Sequence, residues 1–350
     1  MFNSESVQPP GKIHESFFEA TIRSRCGFGR KEVVQGPGYG VDVALVELPG
    51  GLAMAMASDP LSLVPSLGLE ESAWLSVHLM ANDIGTTGFS PQYAQFVLNL
   101  PVSLTAEDFH VYWNYIDRFC TQLGVSITGG HTGFAEGINS TIAGGGTMIT
   151  VAPKDEILLA NKAKSGNIIL VTKVCGLSSS AILGMSFPKT IINQLGKEVY
   201  DSACELFFQT SSVPEALLAA PLAIAMHDVT EGGVLGAIAE MALASGIGAE
   251  IFNESLPIAD YQKKICNLFE LDPRFCIGAG SMIIAADESR AAEIVEKLAA
   301  ANIDCCAVGR FTGREAGVQL MDDYEKKQLA PQGRDPYWAA YFNALKKGWK

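Results

Sequence analysis

From Ser72 to Gly88 the chain reads Ser-Ala-Trp-Leu-Ser-Val-His-Leu-Met-Ala-Asn-Asp-Ile-Gly-Thr-Thr-Gly. Trp74, Leu75, Leu79 and Ile84 fall near helical spacing with almost no charge between them, which predicts a largely buried helix. Before it, Val41 to Leu48 alternates loosely. Gly50-Gly51 reads as a hairpin turn into a second strand, Leu52 to Ser58, closed by Asp59-Pro60. After it, the pattern predicts a strand at Tyr93–Leu100 and a helix at Thr105–Leu123, with Leu104, Phe109, Trp113 and Ile116 inward. A short strand, Val125–Thr128, then runs into a glycine-rich loop, Gly129 to Phe134, and Thr141–Val151 is a further strand. This order predicts a layered domain of sheet and helices.

Pro153 to Ser165 reads as a crossing into a second domain. Asn167–Thr172 is a strand. Gly176-Leu-Ser-Ser-Ser180 opens a helix, either as a plain serine cap or as an anion site on free backbone N–H groups. Pro188 to Glu205 is helical. Ile224 to Val234 is a strand that turns abruptly into an apolar helix ending at Ser245, with Gly246 and Gly248 beyond it. A strand (Ala279–Ala286), a helix (Glu288–Ala301) and a strand (Cys305–Phe311) follow. The tail places Asp335 and Pro336 where a helix starts, which predicts a docking helix. The resulting division is an N-terminal segment 1–35, domains 36–152 and 153–325, and a C-terminal helix in 326–350.

Composition narrows the function. The 350 residues are 48% hydrophobic and 18% charged, with 25 basic against 38 acidic residues and a net charge of −13. That balance argues against a nucleic-acid or anionic-membrane partner, which would need a basic surface. No apolar run nears the roughly 18 residues of a membrane span, and the first residues lack the basic and apolar regions of a signal peptide. Eight cysteines without a CxxC pattern read as reduced thiols of a cytoplasmic protein.

The candidate chemistry lies in acids placed where strands and helices meet loops. Asp42 starts one strand of the predicted hairpin and Asp59 ends its partner, so the two carboxylates are neighbours that repel unless a cation lies between them. Asp83 ends the apolar helix either as a terminator with Asn82 and Gly85 or as a buried carboxylate that needs a partner. His227, Asp228 and Glu231 crowd one turn beyond what the cap of Thr230 needs. Several carboxylates for hard cations and glycine-rich backbone for phosphates are what Mg-nucleotide chemistry requires. No GxxxxGK[ST] is present, and no GxGxxG follows a strand. His78 and His131 have no ligand spacing to another histidine, which disfavours a zinc site.

In order and spacing, Gly36-Pro-Gly-x-Gly40-x-Asp42, Ser58-Asp59, Ala81-Asn82-Asp83, Gly129-Gly130-His131-Thr132 and Asp228-Val-Thr-Glu-Gly-Gly233 resemble the aminoimidazole-ribonucleotide synthetase (AIR synthase-like) superfamily. That group includes the purine cyclo-ligase, thiamine-monophosphate kinase, selenophosphate synthetase and the hydrogenase-maturation carbamoyl dehydratase; the chain most resembles the hydrogenase-maturation members. The resemblance spans roughly residues 10 to 315. It implies an α/β fold of two domains, with N-terminal strands of two subunits forming a shared β-barrel in a homodimer and ATP with Mg²⁺ in a cleft beside it. By motif, Asp42, Asp59 and Asp83 would hold Mg²⁺. Gly38, Gly40, Asn82, Gly129, Gly130, Thr132, Asp228, Thr230 and Glu231 would bind the nucleotide, with His131 and Asp83 catalytic.

The implied reaction transfers the γ-phosphoryl group of ATP to an oxygen of a small-molecule or protein-borne acceptor, chemistry that rests on positioning and charge neutralisation. A nucleotide-binding scaffold without turnover is the alternative. Three departures stand out: Val41 where members often carry a second acid, His131 where many have Asp or Glu, and no cysteine after Cys306 to accept a carbamoyl group.

Overall fold

The computed structural model describes residues 11–138, 141–322, 325–329 and 334–350. The first half contains α1 (Glu15–Phe18), β1 (Val33–Gln35), β2 (Ala44–Glu47), β3 (Leu52–Ser62), α2 (Leu69–Gly85), β4 (Tyr93–Pro101), α3 (Ala106–Leu123), β5 (Ser126–Ala135) and β6 (Ile142–Pro153). Its strands form one sheet in the order β1-β2-β3-β6-β4-β5. The second half contains β7 (Ile168–Thr172), α4 (Leu177–Ser186), α5 (Pro188–Leu195), α6 (Lys197–Phe207), α7 (Val213–Ala219), β8 (Ala223–Asp228), α8 (Gly233–Ser245), β9 (Gly248–Phe252), α9 (Asp260–Leu268), β10 (Met282–Ala286), α10 (Glu288–Ala299), β11 (Cys305–Thr312), β12 (Val318–Asp322), β13 (Glu325–Gln328) and α11 (Tyr337–Lys346). Its sheet runs β13-β12-β9-β11-β7-β10-β8. The α/β architecture of two domains is present; the second sheet is covered by α8 on one face and by α7 and α10 on the other, and no helix among the described residues is long and apolar enough to cross a membrane.

α2 is the element both halves share. Its buried residues include Ser72, Leu75, Ser76, Val77, His78, Met80, Asn82 and Ile84, so no side of it is left to water. That explains its weak amphipathic pattern: one face meets the first sheet and α3, the other meets the second half. Small hydroxyls make such burial tolerable. Ser76 Oγ accepts from Ser62 N at 2.8 Å, and the Tyr112 hydroxyl donates to Ser62 O at 2.8 Å. Tyr112, Ile116, Phe119 and Cys120 form the buried face of α3. The inner face is thus rotated from the expected one, with Phe109 and Trp113 only partly buried against the core.

Across the seam, three α2 side chains grip residues 210–212. Trp74 Nε1 donates to Thr210 Oγ1 at 2.9 Å, and His78 Nδ1 meets Ser211 Oγ at 2.8 Å. Asn82 Nδ2 donates to Thr210 O at 2.9 Å, while Asn82 Oδ1 accepts from Ser212 N at 2.7 Å. Burial, with Lys173 nearby, lowers the His78 pKa to about 3, so this histidine is a neutral packing group stacked 3.6 Å from Trp74.

Three local expectations are corrected. Asp59-Pro60 does not close its strand: β3 continues to Ser62, with Asp59 opposite Gly146 of β6. Gly129–Phe134 is not a loop but the middle of β5, parallel to β4. A Cβ at Gly130 (φ +144°) would lie 1.8 Å from Phe96 O, and one at Gly144 (φ +128°) 1.9 Å from Val97 O. Close strand approach therefore requires these glycines. The expected helix over 188–205 is two helices, broken at Gly196.

One face of the first sheet is covered by α2 and α3; the other carries Met54 opposite Val151, Met56 opposite Ile149, and Tyr93 opposite Ile149, all partly open to solvent or exposed. Val97 (44% exposed) extends this apolar face toward β5.

Replacing Asn82 with alanine strands Thr210 O and Ser212 N inside the seam. The expected cost is about 2–4 kcal/mol, read by urea unfolding; a change below about 1 kcal/mol would show that the amide does not hold the halves together.

Candidate functional site

A cleft of about 930 Å³ lies between the halves, and its lining includes Gly38, Gly40, Asp42, Asp59, Asp83, Asp228, Thr230 and Glu231. The β2–β3 hairpin supplies two of the acids. Ala44 pairs with Met56, so continuing the register sets Asp42 opposite Ser58 and beside Asp59, as the hairpin reading expects. Asp83 comes from the last turn of α2, and Asp228 from the end of β8. Four carboxylates from three separate elements thus converge on one space.

Their electrostatics are strained in the same direction. Burial first, then the charge of Asp42, pushes Asp59 up to about 6, against the pull of Lys12. Burial and the charges of Asp59, Asp228 and Asp42 hold Asp83 well above the usual carboxylate range. Burial and Asp42 push Asp228 up to about 8, with His227 opposing. Desolvation and like charge both disfavour the ionised form, and a cation relieves both.

His227 is buried between Asp42 and Glu240. Its Nδ1 lies 2.6 Å from Asp42 Oδ1 and its Nε2 3.4 Å from Glu240 Oε2. Burial alone would lower its pKa, but the two carboxylates outweigh that and raise it to about 10. Lys12 Nζ closes the chain, lying 2.9 Å from both Glu240 oxygens.

Asp42, His227 and Asp228 present potential ligand atoms within 4.8 Å of one another. A protonated imidazole has no lone pair to give, so the usable donors are carboxylate oxygens. Asp42 Oδ2 is buried without a hydrogen-bond partner, while Oδ1 faces His227. An oxygen-only donor set with an orphaned buried carboxylate oxygen fits a hard cation such as Mg²⁺ and not zinc.

Other expected residues have different surroundings. Asn82 is turned into the seam. Gly129, Gly130, His131 and Thr132 lie on β5, at the far edge of the sheet from the hairpin, and none of them lines this cleft. Glu231 lines it, but Oε2 accepts from Lys12 N at 2.6 Å and Oε1 from Trp338 Nε1 at 2.9 Å. Thr230 does not cap α8; Gly232, at φ +92°, holds that position. Ser178, Ser179 and Ser180 all donate to carbonyls, of Ile277 and Gly176, and Gly176 holds the cap position without a side-chain bond to the helix, so the serine-cap reading is corrected. Gly40 is required by close approach, since a Cβ there would lie 2.6 Å from Glu240 O.

Sequence reasoning missed Lys12 and Glu240. A lone acid inside the apolar helix 234–245 was a usable signal for Glu240; Lys12, beside Pro-Pro-Gly, carried none. The tail helix also does more than dock, because Trp338 and Phe342 form part of the cleft wall.

Comparison with known proteins agrees with this architecture. The family model for AIR synthase related protein, N-terminal domain, matches residues 40–151, and that for the C-terminal domain matches residues 164–320. A putative hydrogenase expression/formation protein of Methanocaldococcus jannaschii is 26% identical over 64% of this chain and 64% of its own length. Carbamoyl dehydratase HypE of Rhodobacter capsulatus is 26% identical over 58% of this chain and 59% of its own. The match thus spans less than two thirds of either relative. Among solved structures, AaThiL complexed with AMPPCP and TMP superposes with a TM-score of 0.69 at 18% identity, covering 91% of this chain and 94% of that one. Hydrogenase maturation protein HypE in complex with ATP gives 0.65 at 17%, covering 93% and 94%. At these identities the likeness is one of fold.

The carboxylate strain has a measurable consequence. Asp59 and Asp228 have native pKa values of about 6 and about 8 against 3.8 ordinarily, so between those values the native state binds more protons than the unfolded chain. Stability of the metal-free protein should therefore fall as pH rises from about 4 to about 8. His227, raised from 6.5 to about 10, acts in the same sense: its contribution is full below 6.5 and lost as pH rises through 10. Thermal unfolding in EDTA across this range should show the decline, and millimolar Mg²⁺ should flatten it. A flat metal-free profile would contradict the placement of the acids.

Proposed function

This chain belongs to the AIR synthase related family, and from that premise we propose that it is a Mg²⁺-dependent enzyme that transfers the γ-phosphoryl group of ATP to an oxygen of an acceptor. The observation that carries the reading is the convergence of Asp42, Asp59, Asp83 and Asp228 in one cleft, with Asp42 Oδ2 buried and unpartnered. Hydrogen bonding alone gives no reason to collect four repelling carboxylates there.

In this reading Asp42, Asp59, Asp83 and Asp228 would hold Mg²⁺, and the ion would supply positive charge against the triphosphate. His227 fixes Asp42 so that its second oxygen faces the cleft. Lys12 brings positive charge to the mouth, tempered by Glu240. The loop at Gly38 and Gly40 offers backbone close to phosphate. Trp338 and Phe342 exclude water from one wall. The acceptor oxygen forms its bond to Pγ as the bond to the bridging oxygen breaks, and ADP leaves. Positioning and charge account for such a step without a dedicated general base.

The relatives' names, hydrogenase expression/formation protein and carbamoyl dehydratase, favour one second reading: the acceptor oxygen is borne by a partner protein. Magnesium-dependent ATP hydrolysis, measured with small-molecule and protein acceptors, separates these readings from that of a scaffold without turnover.

We further propose that the chain acts as a homodimer paired through the open apolar face of the first sheet, in which Met54, Met56, Tyr93, Val97 and Ile149 are too apolar to remain in water. Whether this pairing closes a shared barrel is part of the proposal. β5 is the sheet's edge strand on the side away from the hairpin. Any part that Gly129, Gly130, His131 and Thr132 take in phosphate handling therefore belongs to the partner subunit's cleft.

Asp83→Asn removes one charge at nearly constant shape. The metal-free fold should become more stable, while Mg-ATP affinity falls by more than the about 10–100-fold that loss of an outer-shell partner costs a metal site. Calorimetric titration and thermal unfolding read both; lower stability with unchanged affinity would make Asp83 a structural residue only.

Light scattering should give about twice the 37.3 kDa of one chain. Neither Asp83→Asn nor His131→Ala should turn over well alone. An equal mixture of the two, unfolded and refolded together, should recover about a quarter of wild-type hydrolysis, because half the dimers are mixed and each has one intact site. A monomeric mass, or no recovery on mixing, would refute the shared site.

A further inference from the structure

Beside the cleft, a second cavity of about 400 Å³ opens between the N-terminal segment, α8 and the β12–β13 region. The two spaces share Lys12, Ile13, Tyr39, Glu231 and Glu240, so they adjoin across the Lys12–Glu240 pair. Ile13, Ala239, Leu243, Ile247, Val318 and Leu329 give this cavity apolar walls. Its size is that of a small-molecule pocket, on the order of 300–1,000 Å³.

The charges on its wall are unequal in how they are used. Glu240 is held by Lys12, Glu231 accepts from Lys12 N and Trp338 Nε1, and Asp335 accepts from Gly232 N at 2.7 Å and Tyr337 N at 2.8 Å. Arg314 and Arg334 also line the cavity, and neither forms an ion pair among the described residues. Glu15 is the one wall carboxylate left without such a bond there, and it lies on the Tyr39 side. Both arginines are exposed at the rim of the cavity, so in a chain of net charge −13 the cavity keeps two guanidinium groups free to meet an anion. Planar, permanently charged guanidinium forks suit carboxylate or phosphate oxygens.

We propose that this cavity is the acceptor pocket, binding a small molecule with an apolar, ring-sized body and an anionic group, phosphate or carboxylate, held by Arg314 and Arg334. The other end of that molecule carries the reacting oxygen and points past Lys12 toward the four carboxylates. This inference rests on the phosphoryl-transfer reading of the adjoining cleft. It specifies an anion remote from the reacting oxygen, which the cleft alone does not.

The test uses the full chain saturated with Mg-AMPPCP, so that an anionic probe cannot occupy the nucleotide cleft. Phenyl phosphate, phenylacetate and neutral benzyl alcohol are titrated calorimetrically. At least one anionic probe should bind at least about tenfold tighter than benzyl alcohol, and the tighter of the two identifies the anion. The double variant Arg314→Ala/Arg334→Ala should lose that advantage, a fall of about tenfold or more for lost charge-assisted hydrogen bonds, with Mg-AMPPCP affinity unchanged. Leu243→Trp, at a position 49% exposed, should block the probes by filling the cavity and again spare the nucleotide. Equal binding of all three probes, or an anion preference that survives both variants, overturns the inference while leaving the phosphoryl-transfer reading in place. Failure of the wild-type chain to bind Mg-AMPPCP overturns that reading, and this one with it.

Discussion

Mutual repulsion among four partly or wholly buried carboxylates is the constraint on which this molecule turns. Asp42, Asp59, Asp83 and Asp228 come from the hairpin, from α2 and from β8, so the two halves cannot close without bringing like charges together. Without an ion, the protein meets this in two ways: by raised proton affinity at Asp59, Asp83 and Asp228, and by threading positive groups among the acids. His227 and Lys12 supply the positive charge, and Glu240 links them. Each remedy is partial, because Asp42 Oδ2 still has no partner. A site left electrostatically unfinished in this way is built for something that arrives later.

Holding the acids near one another demands a stiff frame, and α2 supplies it. Asn82 and Asp83 are adjacent yet face different tasks: the amide is spent on Thr210 and Ser212, and the carboxylate faces the cleft. Trp74 and His78, on the same helix, grip the same segment. On the other side of that segment, Lys173 donates to Gln209 O, Ser211 O and Gly280 O and pairs with buried Glu215 at 2.8 Å. The 209–212 chain is therefore held from both sides. Rigid support of this kind is what positioning catalysis needs, since a charge displaced by an ångström no longer meets the group it must stabilise.

What the sequence discloses of this site follows a physical line. Asp42 and Asp59 are legible because a hairpin turn at Gly50-Gly51 sets their register locally. Asp83 and Asp228 stand out because each interrupts an apolar segment. The Gly129–Thr132 stretch misleads, because glycine marks either a loop or a close approach. Here the deciding contact is Phe96 O, on a neighbouring strand that the local pattern does not place. Lys12 and Glu240 are 228 positions apart, and no local pattern announces such a pair. The rotated inner face of α3 has the same origin: Tyr112 is buried because Ser62 O, 50 positions away, accepts its hydroxyl.

The chain ends add a further division. Glu231 receives Lys12 N from one end and Trp338 from the other, and Asp335 holds the start of α8 and the start of α11 through its two oxygens. The wall of the cleft is thus assembled from segments remote from its floor. The floor is fixed by strands and a helix that both cores depend on, so a substitution there disturbs folding and chemistry together. The wall is anchored through Tyr337, Tyr341 and Ala344, which are buried with Phe187 and Phe269 in the second half, while Trp338 and Phe342 turn toward the cleft, so these two can be exchanged at less cost than the floor. Under the phosphoryl-transfer reading we propose, such a division lets one floor serve different acceptors by changes at the wall, with specificity residing in groups that never touch the transferred phosphorus.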